Sequence, residues 1–377
     1  MINKLYLLLI TLFLSSYFYS IVEEDPLPAL GDYSSASISL SGEYELGRLW
    51  LAMYRGSTKE HSDPLMRTYL EDLIYRLSET SEVRDRRFEF IILEDESINA
   101  FAAPGGIIGI NLGMFLNTQR EGELASVMCH ELAHLSQRHY ARSQNRSSPL
   151  ANALMILASI AVAAASRNPE AIVIAPAAMQ QMSINYTRSN EREADRIGFN
   201  NLVKAGFDPN DMTMMFQRMQ DKYQRDDSEQ FSYLMTHPLP SERLTDMRIR
   251  ADNISKPSEG SFRDNLDFYF MQKRSEIWAE KDTKELIKKY RKDLKSDQRK
   301  VSLASRYGLA LALRKDKKYE ESFKILRELI KENPNNLVLE SSLMEIHLSA
   351  KNYYEAISLG KNILEIHDKN YAASVSY

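Results

Sequence analysis

Residues 126–139, SVMCHELAHLSQRH, hold three of the seven histidines of a 377-residue chain and its single cysteine. On an α-helix His130 and His134 stand one turn apart and their imidazoles point the same way, so both can reach one tetrahedral Zn²⁺ at about 2.0–2.1 Å. Glu131 is turned about 100° from His130, suited to taking a proton from a metal-polarised water rather than to binding the metal. The competing reading is an amphipathic core helix with Leu124, Val127 and Leu135 as its apolar stripe. His139, nine residues past His130, falls on the opposite face and cannot be a third ligand from the same helix.

A third ligand has two candidates in SNEREADRIG, residues 189–198. Glu191 and Asp195 are spaced i,i+4 on one helical face, so one carboxylate can bind zinc while the other orients a ligand histidine from behind. Glu193 has apolar Ile197 at that spacing, which favours Glu191 as the ligand and Glu193 as a solvated or structural residue. Gly198, seven residues past Glu191, permits close approach of this helix to the first. Cys129 reads as a small buried hydrophobe rather than a ligand or nucleophile. His237, in THPLPSERL (236–244), is a loop histidine of structural or functional use; with Arg243 six residues on, it could supply donors to a tetrahedral oxyanion.

These side chains need a scaffold. Helical patterns run over 42–55 and 64–78, and strand-like runs over 87–95 and 105–115, suggesting a small sheet beside helices. Thr118, three before Glu121, fits a capping box opening the histidine helix. The apolar run 150–165 spans about 24 Å, short of the roughly 30 Å hydrocarbon core, and reads as a buried or interfacial helix, with a transmembrane span, and hence a membrane-embedded protease, as the alternative. Another helix covers about 177–205 and stops at GFDP, where Gly206 and Pro209 mark a helix end. After a linker at 253–261 the chain becomes charged, amphipathic helices. A shift of 34 residues aligns Tyr319 with Tyr353, Phe323 with Ile357 and KENPNN (331–336) with EIHDKN (365–370), the period of tetratricopeptide repeats. Two repeats are clear, 265–300 is a degenerate third, and the array reads as incomplete at Tyr377.

A 44% hydrophobic chain of this length can bury a core and form two or three domains. A net charge of −4 gives no global basic field, which argues against nucleic acid as a partner. MINKLYLLLITLFLSSYFYS places Lys4 before an apolar run and small residues, the order of a secretory signal; the apolar character through Ile21 keeps a signal anchor open as the alternative. One cysteine excludes an internal disulfide framework.

HELAH, EREAD some 60 residues later, INAFAAPGGIIGINLGMF before them and THPLPSERL after them together resemble the zinc endopeptidase family that includes the CAAX prenyl protease and heat-shock protease X. The signal segment and repeats narrow the resemblance to that family's periplasmic branch. It implies one Zn²⁺ per chain held by His130, His134 and Glu191, with Glu131 as base, and a resting state in which His237 occupies the fourth zinc position. It also implies that substrate backbone adds alongside the strand GGIIGIN, and that His237, once displaced, acts with Arg243 at the oxyanion. The fold class expected is mainly α (α+β): a zincin-like helical domain over 21–255 with a small sheet, after a signal peptide at 1–20, then an α-solenoid of tetratricopeptide repeats over 264–377. The function implied is periplasmic hydrolysis of misfolded or stalled outer-membrane proteins, with the barrel-assembly machinery as partner through the repeats and peripheral membrane contact. A second reading is a repeat-based chaperone with a largely silent protease site.

Overall fold

The computed structural model describes residues 38–144, 187–225, 233, 237–239, 241–254, 262–295, 298–367 and 370–376. The signal segment, the run 150–165 and most of the linker lie outside them. Among the described residues no helix is long and apolar enough to cross a membrane.

Among the described residues the N-terminal half opens with α1 (Leu40–Arg55) and α2 (Pro64–Thr80). Asp63 caps α2 by accepting from the amides of Leu65 and Met66, and Pro64 occupies the first turn, where its missing N–H costs nothing. Three strands follow, β1 (Glu89–Leu93), β2 (Ala100–Ala103) and β3 (Ile107–Asn111), in the order β1-β3-β2; β1 runs parallel to β3 and β2 antiparallel. Phe90, Ile92, Ile108 and Ile110 face the main core, whereas Ile91, Leu93, Phe101 and Ile107 pack under Trp50 and Leu51 of α1. Both faces are therefore covered, which is why the strands read as apolar runs rather than as clean alternation.

Two expectations change here. The run 105–115 is not one strand: β3 ends at Asn111 and Leu112–Asn117 forms α3. The capping box is not made either. Thr118 terminates α3, its hydroxyl donating to the Met114 carbonyl, and Arg120 caps α4 (Glu121–Ser136) with no side-chain hydrogen bond. Glu121 instead accepts from Tyr69, Arg76 and the Asn265 amide, while Glu123 accepts from the Gln119 amide.

From Glu121 to His134 every residue of α4 is buried. Behind it come α5 (His139–Gln144), α6 (Arg188–Lys204), α7 (Asn210–Arg225) and α8 (Ser241–Asp252). Thr187 caps α6 by accepting from the Asn190 amide, and Gly206 at φ +87° ends it. Helices α4 and α6 pack closely. A Cβ at Gly198 would stand 2.9 Å from the His130 amide nitrogen, so the glycine is required by the approach.

The remainder is α9 (Leu266–Ala279), α10 (Thr283–Asp293), α11 (Arg299–Lys315), α12 (Tyr319–Glu332), α13 (Leu337–Ser349), α14 (Tyr353–Ile366) and α15 (Tyr371–Ser376), stacked as helical repeats. Helices α12 and α14 begin at Tyr319 and Tyr353 and have 14 residues each, as the 34-residue period requires. The array folds back on the N-terminal half, with α9 against α2 and α3 and α15 against α2. One core joins Leu65, Tyr69 and Phe115 to Phe268, Tyr307, Phe323, Leu339 and Ala372. At the seam the partly buried Arg274 donates to Asp63 (2.5 Å), Tyr307 (2.9 Å), Ser342 (3.2 Å) and Glu345 (2.8 Å).

Candidate metal centre

His130 and His134, on α4, bring their Nε2 atoms to 2.9 Å of each other. Glu191, in the first turn of α6, sets Oε2 3.4 Å from His130 Nε2 and Oε1 3.3 Å from His134 Nε2. His237 closes the figure with Nδ1, 3.4 Å from His130 Nε2 and 3.1 Å from both Glu191 oxygens. The four ligand atoms lie within 4.8 Å of one another and all four residues are buried. A tetrahedral zinc bound at about 2.0–2.1 Å requires ligand atoms about 3.3 Å apart. Five of the six edges, at 2.9–3.4 Å, lie near that length within a cluster no wider than 4.8 Å, so the chemistry and placement of these residues fit one Zn²⁺.

The second layer is as specific. Asp195 Oδ1 lies 3.0 Å from His130 Nδ1, the nitrogen turned away from the cluster. Arg243 grips Asp195 through Nε (2.6 Å) and Nη2 (2.7 Å), reaches Glu191 Oε2 through Nη1 (2.9 Å), and donates to the Pro238 carbonyl. The oxyanion-donor expectation for Arg243 meets a different geometry: each guanidinium nitrogen is engaged by a carboxylate or a carbonyl, and the residue clamps the ligand carboxylate. Glu131 is fully buried, and His237 Nε2 lies 3.7 Å from its Oε1.

Electrostatics follow from burial. Burial raises the Glu131 carboxyl above the usual range, against the opposing pull of His237 and His130. Burial works to raise Glu191 too, but His237, His130 and His134 overcome it and hold its carboxyl well below the usual range. Burial pushes His134 well below its ordinary value, as a neutral ligand requires. For His130 burial works downward, yet Asp195 and Glu191 lift it to about 9. That excess of negative charge is what a dication replaces. Burial also pushes the Cys129 thiol up, and Cys129 takes no part in the cluster.

The sheet corrects one expectation. GGIIGIN supplies β3, the central strand, whose edges are both occupied. The edge beside α4 is β2, where the Ala102 amide lies on the Glu131 side and lowers that carboxyl. Three residues were not legible as parts of the site. Tyr233 stacks on His237 at 4.6 Å. His139 faces His134, and Glu193, expected to be solvated or structural, pairs with His139 and Arg142. A single aromatic with no partner at a fixed spacing carries no signal, and His139 reaches the site only because the chain reverses after α4.

A family model for Peptidase family M48 matches residues 64–251. The chain is 34% identical to the Beta-barrel assembly-enhancing protease of Yersinia pestis and 33% identical to that of Escherichia coli (strain K12), over 90% and 91% of its length and 70% of theirs. The chain belongs to peptidase family M48. A more distant relative, the Mitochondrial metalloendopeptidase OMA1 of Schizosaccharomyces pombe, is 24% identical over 60% of the chain and 66% of its own length. M48 peptidases are zinc-dependent metalloendopeptidases, and the His130, His134, Glu191 and His237 cluster suits the one metal such an enzyme uses.

Proposed function

We propose that this M48 peptidase works in the periplasm on misfolded or stalled outer-membrane proteins, with zinc held by His130, His134 and Glu191 and with His237 as a resting fourth ligand. The names and extent of the bacterial relatives support the substrate class and the barrel-assembly partner, and the signal-like N-terminus supports the compartment. The observation that carries the reading is the ligand tetrahedron with a buried Glu131 beside it. Peripheral membrane contact and partner docking through the repeats belong to the same proposal.

Zinc, when bound, acidifies a water and polarises a peptide carbonyl. Glu131, raised by burial, takes a proton at one carboxylate oxygen and returns it to the leaving amine. Asp195 orients His130, and Arg243 fixes Glu191 and Asp195 together. Substrate backbone adds along β2 rather than β3, since β2 is the edge against the metal helix. His237 must leave its vertex before substrate is served, and Tyr233 stacked on it sets where the ring rests. A silent-site chaperone is the second reading, favoured by the same filled fourth vertex.

Zinc content, measured on the purified protein with Glu131→Gln and His134→Ala, is paired with cleavage of an unfolded outer-membrane barrel protein. One zinc per chain, lost in His134→Ala, with cleavage lost in Glu131→Gln, is the expected result. Bound zinc without cleavage by the wild type supports the chaperone reading, and no zinc at all overturns the metal centre.

A further inference from the structure

We infer that His139 and Glu193 form a hydrogen-bonded relay that positions the ligand His134, an inference that rests on the zinc-peptidase reading above. His139 Nδ1 lies 2.8 Å from His134 Nδ1, the nitrogen turned away from the metal cluster. The two rings are nearly perpendicular, at 73°, and His139 is fully buried. Its Nε2 lies 3.1 Å from Glu193 Oε2, to which Arg142 Nη1 also donates at 2.9 Å.

The proton positions along this chain are dictated from its outer end. An ionised carboxylate only accepts, so His139 carries its proton on Nε2 and donates to Glu193. His139 Nδ1 is then an acceptor, and the close Nδ1 of His134 must be the donor. A neutral His134 protonated at Nδ1 leaves the Nε2 lone pair for the metal, the state a ligand imidazole needs. The other ligand on this helix reaches the same state in one step, through Asp195 on His130 Nδ1. His134 reaches it in two, through a second histidine and then a carboxylate.

Backbone geometry supports the assignment. Helix α4 ends at Ser136, Arg138 takes φ +49°, and α5 starts at His139. A non-glycine residue in the left-handed region is strained and persists only when its surroundings hold it there. Here Glu43 accepts from Arg138 Nε at 3.3 Å and the Ile38 carbonyl accepts from Arg138 Nη2. The reversal turns a residue that a straight helix would send to the opposite face back beneath His134.

The test uses the full chain and a chromogenic chelator competing for zinc, with melting of the metal-free protein as a folding control. His139→Phe keeps a ring but cannot accept, and zinc affinity should fall 10- to 100-fold, roughly the usual cost of losing a partner behind a ligand. His139→Gln, whose carbonyl accepts from His134 while its amide donates to Glu193, should recover most of that loss. Rescue by glutamine separates the relay from simple packing. The ¹⁵N ring resonances of His134 in the zinc-loaded wild type should report the Nδ1–H tautomer. If His139→Phe does not fold, Glu193→Ala, at the partly exposed end of the chain, carries the test and should weaken zinc severalfold. Unchanged affinity in His139→Phe or in Glu193→Ala, or equal loss in His139→Phe and His139→Gln, overturns the relay while leaving the peptidase reading intact. A wild type that binds no zinc overturns both.

Discussion

Gly198→Ala tests whether the approach of α6 to α4 sets the metal centre. An alanine Cβ would stand 2.9 Å from the His130 nitrogen and 3.0 Å from the Cys129 carbonyl carbon and oxygen. Ordinary contact begins near 3.5 Å, so α6 must withdraw by about 0.5 Å or more. Such overpacking costs about 1–3 kcal/mol, while helix propensity favours alanine over glycine by about 1 kcal/mol. The net expectation is a loss of up to about 2 kcal/mol. The effect on zinc is the sharper one, because Glu191 rides two turns away on the same helix, and its oxygens sit 3.3–3.4 Å from both ligand nitrogens. Withdrawing the helix opens that edge, and zinc affinity should fall about tenfold, or 1.4 kcal/mol. Urea titration of the metal-free protein reads the first quantity and chelator competition the second. A variant that gains the full propensity increment and binds zinc as tightly as the wild type would refute the idea that this contact spaces the ligands.

Three further outcomes are expected. His237→Ala should keep zinc on the three remaining ligands and raise turnover of an unfolded polypeptide; a drop to the level of Glu131→Gln would mean the ring serves the chemistry rather than the resting state. Arg243→Lys keeps the charge but loses the planar fork that spans Asp195 and Glu191, so stability should fall by about 2 kcal/mol and zinc affinity with it; wild-type melting and zinc binding in that variant would count against the clamp. Burial lifts the Asp211 carboxyl, packed on Gly122, from 3.8 to about 7. A raised folded-state value means that its contribution is complete below about pH 4 and is lost as pH rises through 7, by up to about 4 kcal/mol. Denaturation across pH 4–8 should therefore show the wild type losing stability relative to Asp211→Asn, and a pH-independent difference would contradict it.

The helical spacing of His130, Glu131 and His134 and the i,i+4 pair Glu191 and Asp195 were legible because one turn of helix converts sequence distance directly into direction. Gly198 was legible for the same reason. The sheet was only half visible: β1 and β3 are rich in isoleucine, but β2 is Ala-Phe-Ala-Ala, and alanine carries no strand preference. With β2 unseen, the open edge was assigned to β3. His139 was excluded by the assumption that α4 continues straight, whereas Arg138 at φ +49° breaks it. The geometry of Arg243 depends on three elements converging, which no local pattern encodes.

The continuous core from Leu65 to Ala372 and the four-way junction at Arg274 bear on how the chain can be dissected. Removing the repeats would strip apolar cover from α2 and α3 and leave Asp63, which caps α2, without its guanidinium partner. The shared core predicts that the peptidase and its repeats melt together in one cooperative step, and two separated transitions in a calorimetric scan would contradict it. The contribution of the repeats is therefore better dissected by surface substitutions than by truncation, which would uncover the core shared with α2 and α3.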